Sequence, residues 1–313
     1  MTTALYTHAS STQHIMPPGH PEQVARIDSI QNALNAPMFD GLTRFEAPLA
    51  SKADVLKLHD PAYVQKLVGA APVTGTVAID ADTHMSPGTL EAAFRAVGAN
   101  LAAVDLVMQG AAGNAFCALR PPGHHAETTR AMGFCLFGNI ALAAQHALTV
   151  SGAKRVAVID FDVHHGNGTQ DLLWKESRSL FCSTHQTPLW PGSGARTETG
   201  ACGNVLNVPL PPDSTGQGMQ AVYEGEILPA VLAFKPDLIL ISAGFDAHRD
   251  DPLANLNWSD EDFHWLTHRI CDVADQVCGG RIVSSLEGGY DLAALGRAVA
   301  IHVQVLMERA LRE

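Results

Sequence analysis

The stretch that most constrains this chain is residues 155–168, "RVAVIDFDVHHGNG". Here an apolar run rich in β-branched residues opens directly into two aspartates, two adjacent histidines and two glycines. Apolar runs of the same kind recur at 114–120, 179–185, 204–210, 237–244 and 281–289. They are short and do not alternate apolar with polar, as expected of strands covered on both faces of a parallel sheet. Helical patterns separate several of them, at residues 86–110, 138–150, 218–234, 259–277 and 291–311. The first opens on Ser-Pro and closes on Gly110, and the fourth has Ser259 before Asp260, Glu261 and Asp262, a cap followed by an acidic first turn. Strands alternating with helices predict an α/β fold with a central, mostly parallel sheet flanked by helices on both faces. No repeat, low-complexity tract or linker divides the chain, so a single domain over residues 1–313 is expected.

Each of four predicted strands meets polar residues at its C-terminal end: "FCALR" leads to "PPGHHAE", "VAVI" to "DFDVHHGNG", "LILISAG" to "FDAHRDDP" and "IVSSL" to "EGGYD". In open α/β sheets, sites form outside the carboxyl ends of the strands, so these four ends are expected to share one crevice. The formal net charge of −12 opposes binding to nucleic acid or to an anionic membrane, both of which call for clustered Lys and Arg. No apolar run reaches the roughly 18–20 residues of a bilayer span, and the first residues lack the pattern of a signal peptide. The six cysteines include no CxxC, and Cys117, Cys135 and Cys182 sit within apolar runs. Buried reduced thiols and a cytoplasmic location are expected.

The polar ends carry recognisable chemistry. Asp162 and His164, two apart on an extended segment, would share one face and offer oxygen and nitrogen to a divalent metal. Alone they would as readily form a buried hydrogen-bonded pair. Asp246, at another strand end, is the natural third ligand, and three protein ligands leave a position open for water or substrate. His124 and His125 follow a Pro-Pro-Gly turn, where an acid/base pair is needed beside such a metal. Tyr290 follows two glycines and can donate to a developing oxyanion, while Asp291 can cap the helix that follows. Together these residues describe metal-assisted hydrolysis of a carbonyl compound.

In their order and spacing, "RPPGHHAE", "GFCLFGNIALAA", "DFDVHHGNGTQD", "AGFDAHRDDPL" and "EGGYD" closely resemble the histone deacetylase superfamily. The likeness is to the class II-like branch of bacterial deacetylase-like amidohydrolases and acetylpolyamine amidohydrolases. "HPEQVARI" at 20–27 and "STHQTPLWPGSGAR" at 183–196 extend it over essentially the whole chain. The resemblance implies an arginase/deacetylase fold and one Zn²⁺ on Asp162, His164 and Asp246. It implies His125 as general base and then acid, with His124 as its electrostatic partner and Tyr290 on the oxyanion. It further implies that Asp160 orients His124 and that Asn167, where some branches carry Asp, orients His125. A K⁺ is implied near Asp160, Asp162, His164 and Ser183. Phe134, Trp190 and Leu253 match the walls of an acyl-lysine tunnel, with the Gly133 carbonyl on the substrate amide and Asp82 at the rim. Leu253 stands where a polyamine-selective branch carries an acidic gate.

The expected substrate is therefore an acylated amine, such as acetyl-lysine in a protein or peptide, or a small acetylated amine. A two-metal ureohydrolase would need carboxylates where this chain has Gly166 and His248. A silent acyl-binding protein would not need the His124–His125 pair or Tyr290. His165 is expected to be structural rather than a ligand. The oligomeric state is not legible in the sequence.

Overall fold

The structure, a computed structural model, describes residues 1–311. One sheet contains β1 (Thr3–Thr7), β2 (Thr43–Glu46), β3 (Asn114–Cys117), β4 (Val156–Asp160), β5 (Ser179–Gln186), β6 (Val205–Leu210), β7 (Leu238–Ala243) and β8 (Ile282–Leu286). Their order is β2-β1-β3-β8-β7-β4-β5-β6, and every pairing within it is parallel. The six anticipated strands are β3 to β8. Of the unanticipated strands, the two in this sheet lie together at one side: β1 is a short N-terminal strand, and β2 is a four-residue, largely exposed edge, while Val77–Ala78 and His84–Met85 form a small separate hairpin. None of these presents the long apolar run that marks the central strands.

Successive side chains leave a strand on opposite faces, and both faces are filled here. Ala157, Ile159, Ile239, Ile241 and Ile282 join one core with Ile27, Ile30, Phe263, Ile270, Leu295 and Val299. Those residues come from helices α1 (Ala25–Leu34), α5 (Asp260–Cys278) and α6 (Leu292–Ala310). Val156, Val158, Leu238, Leu240 and Val283 join a second core with Ala99, Ala103, Val107, Ile140 and Ala144. These are supplied by α2 (Thr89–Met108) and α3 (Asn139–Thr149). Each fully buried aliphatic side chain contributes about 1.5–3 kcal/mol, so the central strands are the stable platform. Ser259 starts α5 by donating from its backbone N and Oγ to Asp262 Oδ2, at 2.8 and 2.9 Å. Asp291 caps α6 by accepting from Ala294 N at 2.8 Å. The helix expected over 218–234 is divided by a π turn at Tyr223–Ile227, followed by Leu228–Phe234 with Pro229 in its first turn.

Five cysteines are buried, but Cys202 is exposed in the turn before β6, against the expectation of uniformly buried thiols. Among the described residues no helix is long and apolar enough to cross a membrane.

Because all pairings are parallel, the strands end on the same side of the sheet. The four that carry polar ends, β3, β8, β7 and β4, are consecutive neighbours. The chain moves outward from β3 to β4 and later fills the gap with β7 and β8, which makes this a topological switch point.

Candidate active site

Strand β4 ends at Asp160, so Asp162 and His164 are not on an extended segment as expected; residues 162–164 form a bend. The bend is held by its own polar groups, with His164 N donating to Asp162 Oδ1 at 2.9 Å and Asp162 N to Asp160 Oδ1 at 3.1 Å. It still brings the two side chains together. His164 Nδ1 lies 3.2 Å from Asp162 Oδ1 and 3.1 Å from Asp246 Oδ2, and one ligand atom from each of the three falls within 4.8 Å of the others. Asp246 comes from the loop after β7 and also accepts from Val163 N at 2.9 Å. Gly288 N, after β8, donates to Asp162 Oδ2 at 2.8 Å. A Cβ on Gly288 would sit 2.2 Å from Asp246 Oδ2 and 2.6 Å from Asp162 Oδ2, so only glycine allows the backbone this close.

Two carboxylates buried beside one imidazole form a charge set that a divalent cation neutralises. Their ionisation registers the same demand for positive charge. Burial, reinforced by Asp162, pushes Asp246 up to about 7. Burial works against a charged His164, but hydrogen bonds to Asp162 and Asp246 outweigh it and raise the ring to about 10. The donor set and its charge therefore fit a metal ion.

The neighbouring histidines are driven apart in character. Burial opposes charge on His124, yet Asp160, Asp162 and Glu287 prevail and lift it to about 10. His124 Nδ1 pairs with Asp160 Oδ2 at 3.0 Å. Burial, joined by His124 and His164, holds His125 well below its ordinary 6.5. His125 Nδ1 meets Asn167 Oδ1 at 2.8 Å, and the rings of His124 and His125 lie 3.9 Å apart. A charged and a neutral imidazole side by side is the arrangement acid–base chemistry uses. Asn167 opens α4 (Asn167–Leu173), which starts within the polar cluster itself. His165 is buried between Ser193 Oγ, at 2.8 Å, and Gln170 Oε1, at 3.1 Å, a structural role as expected. Ser183 lies in register with Asp160 on the adjacent strand and bonds His185 Nδ1 at 3.0 Å.

A cavity of about 200 Å³ opens onto this cluster, walled by Gly133, Phe134, Trp190 and Leu253, with His125, His164 and Tyr290 also lining it. Phe134 takes the left-handed conformation at φ 68°, unusual for a bulky residue. Gly133, at φ 56°, packs so closely that a Cβ would meet the His125 ring at 2.5 Å and Trp190 at 2.6 Å. Gly133 N donates to Asp82 Oδ1 at 3.2 Å, placing Asp82 at the cavity, and the Gly133 carbonyl receives the Cys135 thiol at 3.3 Å. A thiol is a weak donor and leaves the second lone pair open. Burial keeps the Tyr290 phenol well above 10, so it is a neutral donor.

Several supporting residues carried no distinct sequence signal. Asp251 Oδ2 accepts from Tyr290 N at 2.7 Å. Arg26 spans the backbone carbonyls of Glu287 and Gly289, each at 2.6 Å, and its guanidinium lies 5.0 Å from the Tyr290 ring centre. Glu22 joins Arg26 at 3.0 Å and also pairs with Arg120, all with fully buried side chains. Asn167 Nδ2 donates to Glu127 Oε1 at 2.8 Å. Glu22, Arg26, Arg120, Glu127 and Asp251 all lie inside the quoted stretches, but residue type alone does not reveal which donor or acceptor each one meets.

Comparison with known proteins agrees with this geometry. Residues 20–306 match the family model described as histone deacetylase domain. The chain is 41% identical over 310 residues to Histone deacetylase 14, chloroplastic, of Arabidopsis thaliana, covering 92% of this chain and 73% of that protein. It is 39% identical over 251 residues to the Histone deacetylase-like amidohydrolase of Pseudomonas aeruginosa, covering 79% and 66% of the respective chains. A probable deacetylase of Archaeoglobus fulgidus is 36% identical over 298 residues, covering 93% and 82%. The crystal structure of the HDA15 HD domain superposes with a TM-score of 0.93 at 30% identity, over 98% of this chain and 89% of that one. The chain belongs to the histone deacetylase family and is a hydrolase of amide bonds.

Proposed function

We propose that this hydrolase removes acetyl or related acyl groups from amines such as acetyl-lysine, using one Zn²⁺ held by Asp162, His164 and Asp246. The carrying observation is a neutral His125 beside that three-ligand cluster, both lining one cavity with apolar walls. When bound, the ion would polarise the acyl carbonyl and acidify a water molecule. His125 takes the proton from the attacking water and returns it to the departing amine, yielding a carboxylate and a free amine. His124, held cationic against Asp160, stabilises negative charge next to the reacting carbon. The Tyr290 hydroxyl donates to the carbonyl oxygen as charge develops there. Phe134, Trp190 and Leu253 enclose the apolar stem of the acylated side chain, and the Gly133 carbonyl accepts its amide N–H.

A single metal is supported at Gly166, where any side chain would have its Cβ 2.1 Å from Asp160 Oδ2, so a carboxylate for a second ion does not fit. Asp/His/Asp ligation suits Zn²⁺ and also accepts Fe²⁺ or Co²⁺. K⁺ near Asp160, Asp162, His164 and Ser183 belongs to this reading, supported by the register of Ser183 with Asp160. Leu253 in place of an acidic gate favours acetyl-lysine over acetylated polyamines. The net charge of −12 supports neither nucleic acid nor membrane as a partner, and the buried thiols support a cytoplasmic location.

The test is turnover of an acetyl-lysine peptide, acetylspermidine and trifluoroacetyl-lysine, with and without chelator. Chelator-sensitive release of amine from the lysine substrates is expected. If no substrate reacts faster than with the His125→Ala variant, the reading fails.

A further inference from the structure

Glu287, the residue following β8, is fully buried. Arg26, a nearby cation, donates to its backbone carbonyl and not to its carboxylate. The carboxylate instead spans two other strand ends. Oε2 accepts from Gly123 N at 2.7 Å and His124 N at 3.1 Å, and Oε1 accepts from Ser242 Oγ, on β7, at 3.2 Å. Two successive amides converging on one oxygen fix the orientation of the peptide that joins them. The flanking backbone is equally confined: a Cβ on Gly123 would lie 2.6 Å from Asn139 N, and Thr169 N donates to the His124 carbonyl, in the next peptide, at 3.0 Å. A buried acid without a side-chain ion pair is costly to keep, and removing it leaves two buried N–H groups unsatisfied. Stability alone is a poor reason for such a group; positioning is a better one.

We propose that Glu287 is a positioning residue for the histidine pair. Its carboxylate clamps the Gly123 and His124 amides so that His124 reaches Asp160 and His125 reaches Asn167. Among the described residues no hydrogen bond joins its carboxylate to a metal-ligand side chain; besides its electrostatic support of a charged His124, it acts through the backbone of the turn. This inference rests on the deacylase reading for its kinetic consequence only.

The experiment compares wild type, Glu287→Ala and Glu287→Gln, reading kcat and KM on the acetyl-lysine peptide and amide hydrogen exchange at Gly123 and His124 by NMR. Glutamine keeps an oxygen for both amides and can donate to Ser242, so it is expected to rescue. The alanine variant should lose about 30- to 100-fold in kcat, the order expected of a misplaced catalytic group, with KM within about 2-fold of wild type. Exchange at both amides should quicken by at least about 10-fold in the alanine variant and stay near wild type in the glutamine variant. If alanine prevents folding, Glu287→Asp, which withdraws the carboxylate by one methylene, carries the same expectation. Unchanged amide exchange, or wild-type kcat, in the folded alanine or aspartate variant overturns the proposal. So does a glutamine variant as impaired as alanine. A wild type without turnover defeats the deacylase reading alone, and amide exchange still decides on Glu287.

Discussion

Asn167 Oδ1 faces His125 Nδ1 at 2.8 Å while the amide nitrogen of the same side chain is turned to Glu127 Oε1, also at 2.8 Å. The second contact settles the first. A carboxylate only accepts, so the Asn167 nitrogen must point at Glu127 and its oxygen at His125. His125 therefore carries its proton on Nδ1, and Nε2 is left with a lone pair. Asn167→Asp places a carboxylate against that Nδ1 and favours the charged ring. His125 must be neutral to act as a base, so the acid limb of the pH–rate profile is expected to move up by about one unit. The introduced carboxylate would also oppose Glu127, so the double variant with Glu127→Gln should show the shift more cleanly. An unmoved profile in both would show that Asn167 does not govern His125.

Gly166 and Gly288 give a matched pair of steric tests. Gly166→Ala drives a Cβ against Asp160 Oδ2, and Gly288→Ala drives one between Asp246 and Asp162. The first should disrupt the Asp160–His124 pair and lower kcat with metal content retained. The second should weaken metal affinity, by about 10- to 100-fold on the scale of altered ligand support. Metal content after dialysis, measured beside kcat, separates the two outcomes.

Metal binding should depend steeply on pH. Asp246 is pushed up to about 7 and His164 to about 10, so a cation must displace a proton from His164 throughout the range from pH 8 to 6 and one from Asp246 as well once the pH falls below about 7. Falling pH raises competition for the same lone pairs, and affinity should drop by up to about tenfold per unit for each proton displaced between pH 8 and 6. Calorimetric titration with Zn²⁺ in buffers of different ionisation enthalpy should report proton release. Binding with no proton release would contradict this ionisation pattern.

Tyr290→Phe removes the proposed oxyanion donor while leaving the ring against Phe134, whose centre is 5.9 Å away. A loss of about 10²–10³ in kcat with little change in KM is expected, as for deletion of a single oxyanion donor. A change confined to KM would assign the hydroxyl to substrate binding instead.

Glu22→Ala leaves two fully buried guanidinium groups, Arg26 and Arg120, without their shared carboxylate. Stranding buried charge costs about 3–5 kcal/mol, which urea denaturation would read as a lower midpoint. Because Arg26 also holds the carbonyls of Glu287 and Gly289, just before Tyr290, catalytic loss should accompany the lost stability.

The central strands and the gathering of the candidate ligands were legible because both rest on patterns that survive in one dimension. "VAVI" and "LILISA" read as two-faced strands, and the rule that sites gather at strand ends joined Asp162 to Asp246 across the fold. The bend at 162–164 was not legible, since the Asx-type contacts that turn it depend on geometry. The edge strand "TRFE" was missed because an exposed four-residue strand has no core pattern. Glu287, Asp251 and Glu127 were missed for a different reason: each acts by accepting a particular N–H, and which N–H it meets is decided only by the sheet order.

That order also sets a schedule. β8 is the last strand among the described residues, yet it sits in the middle of the sheet, between β3 and β7. Until it slots in, nothing braces Asp162 through Gly288, and Tyr290 is absent from the cavity. A nascent chain released up to residue 280 would hold all three candidate metal ligands and no finished pocket around them. On the proposed reading, capture of an ion in a working geometry is expected to be a closing event of folding, and a chain cut before β8 to be inactive.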